Sequence, residues 1–518
     1  MNEIAHHSWR ETIVAFRHPR VVTMLFLGIA AGVPLLLIFS SLSLWLREAG
    51  VERAAVTYFS WAALGYSFKF VWAPLVDKLS LPILTQWLGR RRAWLLLSQI
   101  MIMLAISLMA FIDPATSALT AMAWAAVLLG FSAATQDVVI DAYRIESADS
   151  DLQTLMASSY IAGYRIGMLI AGAGALLLAS YFGSTMAEYN YLAWQWTYLA
   201  MVGVMFIGVI TTLTIPEPEI NRQEHLLHSQ KDYLGFLLLF VLSVAGFIAS
   251  FYYSIELAQT AKAVLSSMVA NTYLAGFLVE LSRLVMALAI AVTIAKTVVS
   301  LGLVQRKIVE TTYVAPVKDF FKRYGWSLAW LLLALIGLYR ISDIVLGVIA
   351  NVFYQDLGFT KPEIASVVKS FGLLMTIVGG FLGGLLAVRF GVMKILFLGA
   401  LLSALTNLLF MMLASAGHDM TMLYIVISAD NLSAGLASAA FIAFLSSLTN
   451  ISFTAVQYAI FSSLMTLLPK ILGGYSGTMV EAIGYQQFFL ITALMGIPVL
   501  ILVLWANKRF DFNDVVIK

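Results

Sequence analysis

The sequence predicts an all-α integral membrane protein of two six-helix bundles with an inserted two-helix hairpin between them. Three observations predict this fold class: a composition too apolar for water, a series of apolar runs of membrane-spanning length, and two charged linkers that divide the runs. Of the 518 residues, 61% are hydrophobic and 11% are charged, and the mean hydropathy is +0.91. Because a soluble domain carries roughly 25% charged residues, this chain has too little polar surface to face water on all sides.

The composition also excludes several classes of function. The chain has no cysteine, which removes disulfides, thiolate metal sites, iron–sulfur clusters and cysteine nucleophiles. A net charge of +3 is too small to indicate a nucleic-acid partner. The sequence contains no Walker phosphate loop, no H-E-x-x-H and no G-x-S-x-G motif, so ATP-driven pumping and the common hydrolase mechanisms have no visible machinery. We therefore predict a protein that is not an enzyme and that uses no cofactor or metal.

Apolar runs of sufficient length occur throughout the chain. A membrane-spanning helix needs about 20 mostly apolar residues, because it crosses about 30 Å of hydrocarbon. Fourteen runs meet this requirement, which predicts about fourteen transmembrane helices. The first six runs are 21–46, 54–76, 93–112, 118–143, 154–182 and 191–215. The next two are 233–257 and 268–302, and the last six are 327–354, 363–388, 393–414, 421–448, 452–470 and 485–506.

The orientation follows from lysine and arginine, which are retained on the cytoplasmic side of a membrane. These residues are concentrated in one set of alternate loops, which includes both termini and both linkers. The opposite set holds only Arg47, Arg53, Lys262, Lys361 and Lys470. We therefore predict that both termini lie in the cytoplasm.

The two linkers divide the runs into six, two and six. Major facilitator transporters have two groups of six spans joined by a charged connection, and their halves are structural repeats. The chain therefore resembles that fold with an added hairpin. The predicted segments are a cytoplasmic N-terminus 1–20, an N-terminal six-helix bundle 21–215, a cytoplasmic linker 216–232, an inserted transmembrane hairpin 233–302, a second cytoplasmic linker 303–326, a C-terminal six-helix bundle 327–506 and a cytoplasmic tail 507–518.

Residues 309–324 of the second linker show the pattern of an amphipathic helix. Apolar residues such as Phe320 and Phe321 recur at helical spacing beside Lys318 and Lys322. This pattern suits a helix on an anionic membrane surface, so membrane lipids are expected partners. An ordinary linker helix with no separate function has the same pattern.

Charged residues inside the predicted spans are the strongest indication of function. A charge at the centre of a span costs about 2.5 to 3.5 kcal/mol on insertion scales, so each needs a partner or a water-filled cavity. Arg340 and Asp343 are one helical turn apart, where they could neutralise one another or form a substrate or proton site. The other charges within spans are Lys69, Asp137, Arg165, Glu280, Arg283, Lys296, Lys369 and Asp430.

The fourth span carries two carboxylates on one face, at Asp137 and Asp141. Their four-residue spacing stacks them so that they repel, and repulsion with burial favours a protonated carboxyl. Asp137 is open to three interpretations, as a proton site, a substrate contact or a structural partner. Asp141 and Arg144 lie near the cytoplasmic end of the span, which favours a gating role.

Several motifs in order resemble the AmpG-type anhydromuropeptide permeases of the major facilitator superfamily. They are FKFVWAPLVD at 68–77, GRRR at 89–92, SAATQDVVID at 132–141, GYRIGML at 163–169, APVKDFF at 315–321, YRISD at 339–343, KSFGLL at 369–374 and SFTAVQ at 452–457. The resemblance covers most of the chain. Asp77 followed by the arginine triplet looks like a stretched form of the superfamily loop that latches the cytoplasmic gate.

This resemblance implies a proton symporter of the bacterial inner membrane that imports N-acetylglucosaminyl-anhydro-N-acetylmuramic acid, with or without a stem peptide, for cell-wall recycling. The expected partners are this small-molecule substrate and protons, and we expect a monomer. The expected substrate-binding residues are Lys69, Gln136, Tyr160, Tyr164, Arg165, Arg340, Lys369, Asn431 and Gln457. The expected proton-coupling residues are Asp343 first, then Asp137 and Asp430, and the expected gating residues are Asp77, Arg90, Arg91, Arg92, Asp141 and Arg144.

Other functions compete with this interpretation. A major facilitator transporter of another solute, such as an acyl-CoA or a drug, would show the same architecture. A polytopic enzyme acting on lipid-linked sugars would need a cluster of reactive groups in sizeable loops, and the predicted external loops are short. A sensor would bind the ligand without transporting it.

Overall fold

The computed structural model describes residues 17–116, 119–147, 150–218, 230–269, 272–450 and 454–509. Within these ranges all regular structure is helical. Twelve of the described helices are long and apolar enough to cross a membrane, so the chain is a multi-pass membrane protein. This number is two fewer than predicted, because the helices that correspond to runs 54–76 and 452–470 are not among the twelve.

The N-terminal half begins with a long first helix that contains a π-helical turn at Leu37–Ser41. A 3-10 segment at Phe59–Leu64 and a second π-helical turn at Ile170–Gly174 interrupt later helices of this half. Its helices are α1 Pro19–Glu48, α2 Arg53–Tyr58, α3 Gly65–Lys78, α4 Leu84–Leu88, α5 Arg90–Ala110, α6 Leu119–Glu146, α7 Ser150–Leu169, α8 Ala175–Tyr181 and α9 Tyr191–Thr214.

The inserted segment contains one more helix than the predicted hairpin. Its helices are α10 Gln230–Tyr253, α11 Ile255–Val269 and α12 Thr272–Ser300. Helix α11 includes the stretch between runs 233–257 and 268–302, which was expected to be an external loop, and its apolar and polar residues are segregated as in an amphipathic helix. The segment contacts both halves, since Phe247 packs on Phe68 and the Tyr475 hydroxyl donates to the Gly276 carbonyl at 3.2 Å.

The second linker is helical, and a sharp break separates it from the C-terminal half. After α13 Arg306–Val309 and a π-helical turn at Glu310–Val314, helix α14 Ala315–Leu338 is interrupted at Gly325. Gly325 has a φ of 69°, which only glycine adopts readily. Phe320 is buried while Lys318 is exposed, so these two positions of α14 differ in burial.

The C-terminal half contains the fourth π-helical segment of the described residues, at Ile364–Phe371. Its helices, after the end of α14, are α15 Ile341–Asp356, α16 Lys361–Glu363, α17 Gly372–Phe390, α18 Val392–Ala416, α19 Met420–Leu448, α20 Thr454–Gly473, α21 Ser476–Leu494 and α22 Gly496–Arg509.

In each half, glycines allow the backbones of a helix pair to come very close. In the N-terminal half α1 packs on α7, where Gly28 faces the backbone of Tyr160 and Tyr164. In the C-terminal half α17 packs on α19, where Gly379 faces the Leu432 carbonyl. These glycines follow the small-xxx-small spacing, which allows close helix packing in membranes where no hydrophobic effect drives association.

Several hydrogen bonds and ion pairs join the two halves at one end of the molecule. We call this end, which carries loops 49–52, 182–190 and 357–360, the short-loop end, and the opposite end, which carries both linkers, the linker end. At the short-loop end Asp356 accepts hydrogen bonds from Arg47 at 2.8 Å and from Arg53 at 2.5 Å. Thr57 donates to the Gly474 carbonyl at 3.0 Å. Helices α3 and α20 also meet between the halves, where the Ser67 and Thr466 hydroxyl oxygens are 2.6 Å apart.

Candidate functional site

A cavity of about 300 Å³ lies between the two halves. The N-terminal half contributes Leu36 and Leu169, which directly precede its two π-helical turns, together with Arg165. Most of the polar lining comes from the C-terminal half. The polar lining residues of that half are Arg340, Asp343, Asn351, Lys369, Thr376, Asp430 and Asn431.

An ion pair between Arg340 and Asp343 lies on the C-terminal wall of the cavity. Arg340 occupies the break between α14 and α15, and Asp343 lies in the first turn of α15, where the helix dipole favours a carboxylate. The Arg340 Nε donates to Asp343 Oδ2 at 3.0 Å, and Arg340 Nη1 donates to the Ser438 hydroxyl at 2.8 Å. The hydroxyl of Ser403 donates to the other Asp343 oxygen, so both carboxylate oxygens have a partner.

Asp430 is a second carboxylate on the same wall. Its Oδ1 accepts a hydrogen bond from the Thr406 hydroxyl at 3.4 Å, and its charge interacts with those of Asp343 and Arg340. Its neighbour Asn431 is committed to helix packing, because its amide oxygen accepts from Thr376 at 3.0 Å. Asp430 is therefore the more available of the two polar groups for a ligand or a proton.

Two cations in the cavity form no ion pair within the described ranges. Arg165 Nη1 donates to the Met168 sulfur at 3.8 Å. Lys369 lies in the π-helical segment Ile364–Phe371, and its ammonium donates to Asn351 Oδ1 at 2.7 Å. The Asn351 amide in turn donates to the Phe39 carbonyl of α1 at 3.1 Å. A π-helical turn widens the helix and is frequent at functional sites. Here it places a lysine between the two halves.

Asp137 lies in an aromatic cluster of the N-terminal half, which does not line the cavity itself. The Tyr160 hydroxyl donates to Asp137 Oδ1 at 3.4 Å, and the rings of Tyr160 and Tyr164 are 6.0 Å apart. The charge of Lys69 interacts with that of Asp137. Because Tyr164 directly precedes the cavity-lining Arg165, the cluster lies beside the cavity.

Gln136 is fully buried, and neither atom of its side-chain amide has a hydrogen-bond partner among the described residues. It lies away from the cavity lining. The expectation of a direct substrate contact is therefore not supported by its position in this conformation.

Gln457 requires a correction. It was expected to bind substrate, but its amide holds the amphipathic linker helix to the C-terminal half. Its Nε2 donates to the Pro316 carbonyl at 2.8 Å and to Asp319 at 2.9 Å, and its Oε1 accepts from Arg323 at 3.0 Å. These bonds use its donors and its acceptor outside the cavity, so this geometry indicates a structural role.

The predicted gating arginines form ion pairs and hydrogen bonds within the N-terminal half, at the linker end. Arg91 Nε donates to Glu146 at 2.7 Å, and Arg90 lies 3.6 Å from the same carboxylate. The backbone amides of Arg91 and Arg92, at the start of α5, donate to Glu217 at 2.8 and 3.1 Å. Glu146 and Glu217 are partners that the sequence analysis did not name.

The two remaining gating candidates on α6 interact with one another. The Arg144 guanidinium lies 3.5 Å from the Asp141 carboxylate within the same helix, and the Asp141 charge also interacts with Tyr458 of the C-terminal half. The Asp77 side chain lies outside the described part of the chain. Its gating role stays a prediction.

Two lysines assigned to external loops are buried between the halves. Lys361 forms an ion pair with Glu48 at 2.5 Å, and their side chains are 4% and 1% exposed. Lys470 lies within α20, not beyond its end, and is also buried. Each lysine lies next to the end of a predicted span. An error of one helical turn in the predicted end of that span is enough to assign the residue to a loop and not to a helix.

The fold and the cavity between two helical halves define a membrane transporter and not an enzyme. The sequence profile of the Major Facilitator Superfamily matches residues 21–340 and 331–511. A POT family transporter in complex with a thioalcohol-conjugated peptide superposes with a TM-score of 0.63, at 13% identity, over 95% of this chain and 96% of that chain. A D-xylose-proton symporter superposes with a TM-score of 0.60, at 12% identity, over 96% and 98%. These two structures share the fold.

Similar sequences identify the family more narrowly. A protein of Rickettsia conorii that carries the name AmpG 4 is 30% identical over 496 residues, which cover 96% of this chain and 98% of that protein. The anhydromuropeptide permease of Escherichia coli K12 is 28% identical over 501 residues, covering 96% of this chain and 82% of that protein. The chain therefore belongs to the AmpG family of the major facilitator superfamily.

Proposed function

We propose that the chain imports anhydromuropeptides from the periplasm to the cytoplasm across the bacterial inner membrane, in symport with protons, for cell-wall recycling. Such a substrate joins an amino-sugar disaccharide to a peptide with several carboxylates. The permease of Escherichia coli is named for this class of solute.

The observation that carries the proposal is the pair of cations without counter-ions in the cavity. Arg165 and Lys369 come from opposite halves and form no ion pair within the described ranges. A cation at membrane depth without a carboxylate is costly, and an anionic ligand between the halves would compensate both. Charge-assisted hydrogen bonds to carboxylates are among the strongest that a side chain makes.

The cavity also offers groups for the uncharged parts of the substrate. A volume of about 300 Å³ is at the lower end of the range for small-molecule sites, so a disaccharide peptide would extend from it toward the linker end. In that direction Tyr160 and Tyr164 offer hydroxyls and aromatic faces, and Lys69 offers a further cation.

The proton carrier that we propose is Asp343, with Asp137 and Asp430 as alternatives. Protonation of Asp343 would release Arg340 from their ion pair and leave the guanidinium free for the substrate. One proton that falls through roughly 150 mV supplies about 3.5 kcal/mol, at about 2.3 kcal/mol per charge per 100 mV. That energy supports an accumulation of roughly a few hundredfold.

The transport cycle that we propose is alternating access by rocking of the two halves. Contacts between the halves at the short-loop end support a state that faces the linker end, which is the cytoplasmic side if both termini are cytoplasmic. In this proposal all fourteen predicted segments cross the membrane, the protein works as a monomer, and the basic face of the linker helix binds anionic lipids.

The experiment that tests the proposal measures uptake of labelled N-acetylglucosaminyl-anhydromuramyl tripeptide into proteoliposomes, with and without an inward proton gradient. We expect accumulation that depends on the gradient and that unlabelled substrate competes away. If acyl-CoA competes with the labelled tripeptide and the unlabelled tripeptide does not, the transported solute belongs to a different class. Binding without accumulation would indicate a sensor.

A further inference from the structure

Lys470 is a buried cation that has no role in the transport mechanism proposed above. It lies in α20 of the C-terminal half, and its side chain is 7% exposed. Within the described ranges it makes no ion pair, and the Lys69 charge that interacts with it has the same sign. An uncompensated ammonium in a membrane interior is costly, so such residues mark functional sites by default.

Among the described residues, the groups that contact the Lys470 ammonium belong to the opposite half. The ammonium donates to the Ala63 carbonyl at 3.2 Å. It also lies 5.7 Å from the ring centre of Phe39 and 5.8 Å from that of Tyr66, within the range of a cation–π interaction. A carbonyl and two aromatic faces can solvate an ammonium without neutralising its charge.

The position of Lys470 places it between the cavity and the short-loop end. Phe39 lies about one helical turn along α1 from the cavity-lining Leu36, in the direction of the short-loop end. Gly474, about one turn beyond Lys470, accepts the hydrogen bond from Thr57 that joins the halves at that end. A solute that enters from the short-loop end would pass this point before it reaches the cavity.

Opening of the short-loop end would therefore expose this cation. When the halves separate there, Lys470 loses the Ala63 carbonyl and both rings in one step, because all three groups move with the N-terminal half. The freed ammonium would then stand at the entrance to the cavity, with Arg165 and Lys369 further in.

We infer that Lys470 is the first receptor for a carboxylate of the substrate when the short-loop end is open, and that it passes the carboxylate to Arg165 and Lys369 as that end closes. This inference rests on the proposed function. It assigns an anion-binding site that exists in one state of the cycle, and it explains why a lysine without a counter-ion is buried in the other state.

The test compares entry from the two sides in sealed membrane vesicles of defined orientation. The ligands are the labelled disaccharide tripeptide and its analogue with amidated carboxyls. For Lys470→Gln we expect the half-saturation concentration for entry from the short-loop end to rise about tenfold with the carboxylate ligand, as for the loss of one charged hydrogen bond. Entry of the same ligand from the linker end, and entry of the amidated analogue, should change less than about twofold, well below that loss.

Matched variants separate charge from structure. Lys470→Arg keeps the cation and should keep the low half-saturation concentration. Lys262→Gln removes a lysine at the same end, which also lies over an aromatic ring, Tyr475 at 6.0 Å, and should have no effect. An equal rise for both ligands or from both sides would overturn the inference. Failure of the unaltered chain to transport the tripeptide would overturn the proposed function and this inference with it.

A second measurement does not depend on substrate affinity. The chain has no native cysteine, so Lys470→Cys is a single-cysteine variant without background. We expect a membrane-impermeant thiol reagent to label it from the short-loop side during turnover, and saturating substrate to slow that labelling. Absence of labelling from that side would show that position 470 is never exposed there, and it would contradict the inference.

Discussion

The Lys361 ammonium and the Glu48 carboxylate form a buried ion pair, 2.5 Å apart, that joins the two halves of the molecule at the short-loop end. The carboxylate also accepts from the Ser184 hydroxyl at 2.6 Å and from the Trp194 indole at 2.7 Å. The ammonium donates to the Ser184 carbonyl as well. These partners satisfy both charges, so the pair fastens the halves in the conformation seen here and must break when that end opens.

Lys361→Met should destabilise this conformation strongly, because it leaves the Glu48 carboxylate buried without its cation. We expect a loss of about 3 kcal/mol in the free energy of unfolding, measured by denaturation in detergent. The double variant Glu48→Gln with Lys361→Met should recover part of this loss. Lys318→Met, which breaks an exposed pair with Glu310, should cost less than about 1 kcal/mol. The single variant Glu48→Gln completes the comparison. If the double variant loses as much free energy of unfolding as the two single variants together, the two residues do not stabilise one another and the pairing is contradicted.

Asp343→Asn should separate transport from proton coupling. The amide still accepts a hydrogen bond from Ser403 but cannot bind or release a proton, so we expect exchange of substrate across the membrane to continue while accumulation under a proton gradient is lost. The two are measured as counterflow and as gradient-driven uptake in the same proteoliposomes. If Asp343→Asn accumulates substrate to the level of the unaltered chain, Asp137 or Asp430 carries the proton.

Arg165→Gln and Lys369→Met should each raise the KM for the carboxylate-bearing substrate by about tenfold or more, since each removes a charged hydrogen bond. Uptake kinetics of purified variants check this prediction. The exposed Arg389, which lies over the Phe390 ring outside the cavity lining, provides the control. A KM for Arg165→Gln that matches that of Arg389→Gln would remove Arg165 from the site.

Gly28→Ala should destabilise the N-terminal half, because the added methyl group would overlap the Tyr160 carbonyl of α7. We expect a loss of about 1 to 3 kcal/mol, as for overpacking elsewhere. The matched control is Gly203→Ala in α9, where an added methyl group meets nothing within 4 Å. That change should stabilise the helix by up to about 1 kcal/mol. Thermal unfolding in detergent compares the two, and equal effects would contradict the close packing of α1 on α7.

Gln457→Leu tests the corrected role of that residue. The amide joins the linker helix to the C-terminal half through Pro316, Asp319 and Arg323, so its loss should make the linker more susceptible to limited proteolysis. The KM for substrate should remain that of the unaltered chain. An increase in KM without a change in proteolysis would restore the original expectation of a substrate contact.

Local spacing predicted some contacts and could not predict others. The Arg340–Asp343 pair, for example, follows from a three-residue separation in the sequence. Lys361 and Lys470 each contact groups that lie hundreds of residues away in the sequence. Local spacing could not predict these contacts, because they form only when the two halves pack together. The π-helical turn that places Lys369 between the halves also leaves no reliable mark in an apolar sequence.

The most direct test of proton-coupled muropeptide transport uses the substrate gradient as the only driving force. Proteoliposomes with a trapped pH indicator and equal pH on both sides are given N-acetylglucosaminyl-anhydromuramyl tripeptide outside. We predict that substrate entry acidifies the interior for the unaltered chain and does not for Asp343→Asn. Entry of the tripeptide without acidification would contradict the account.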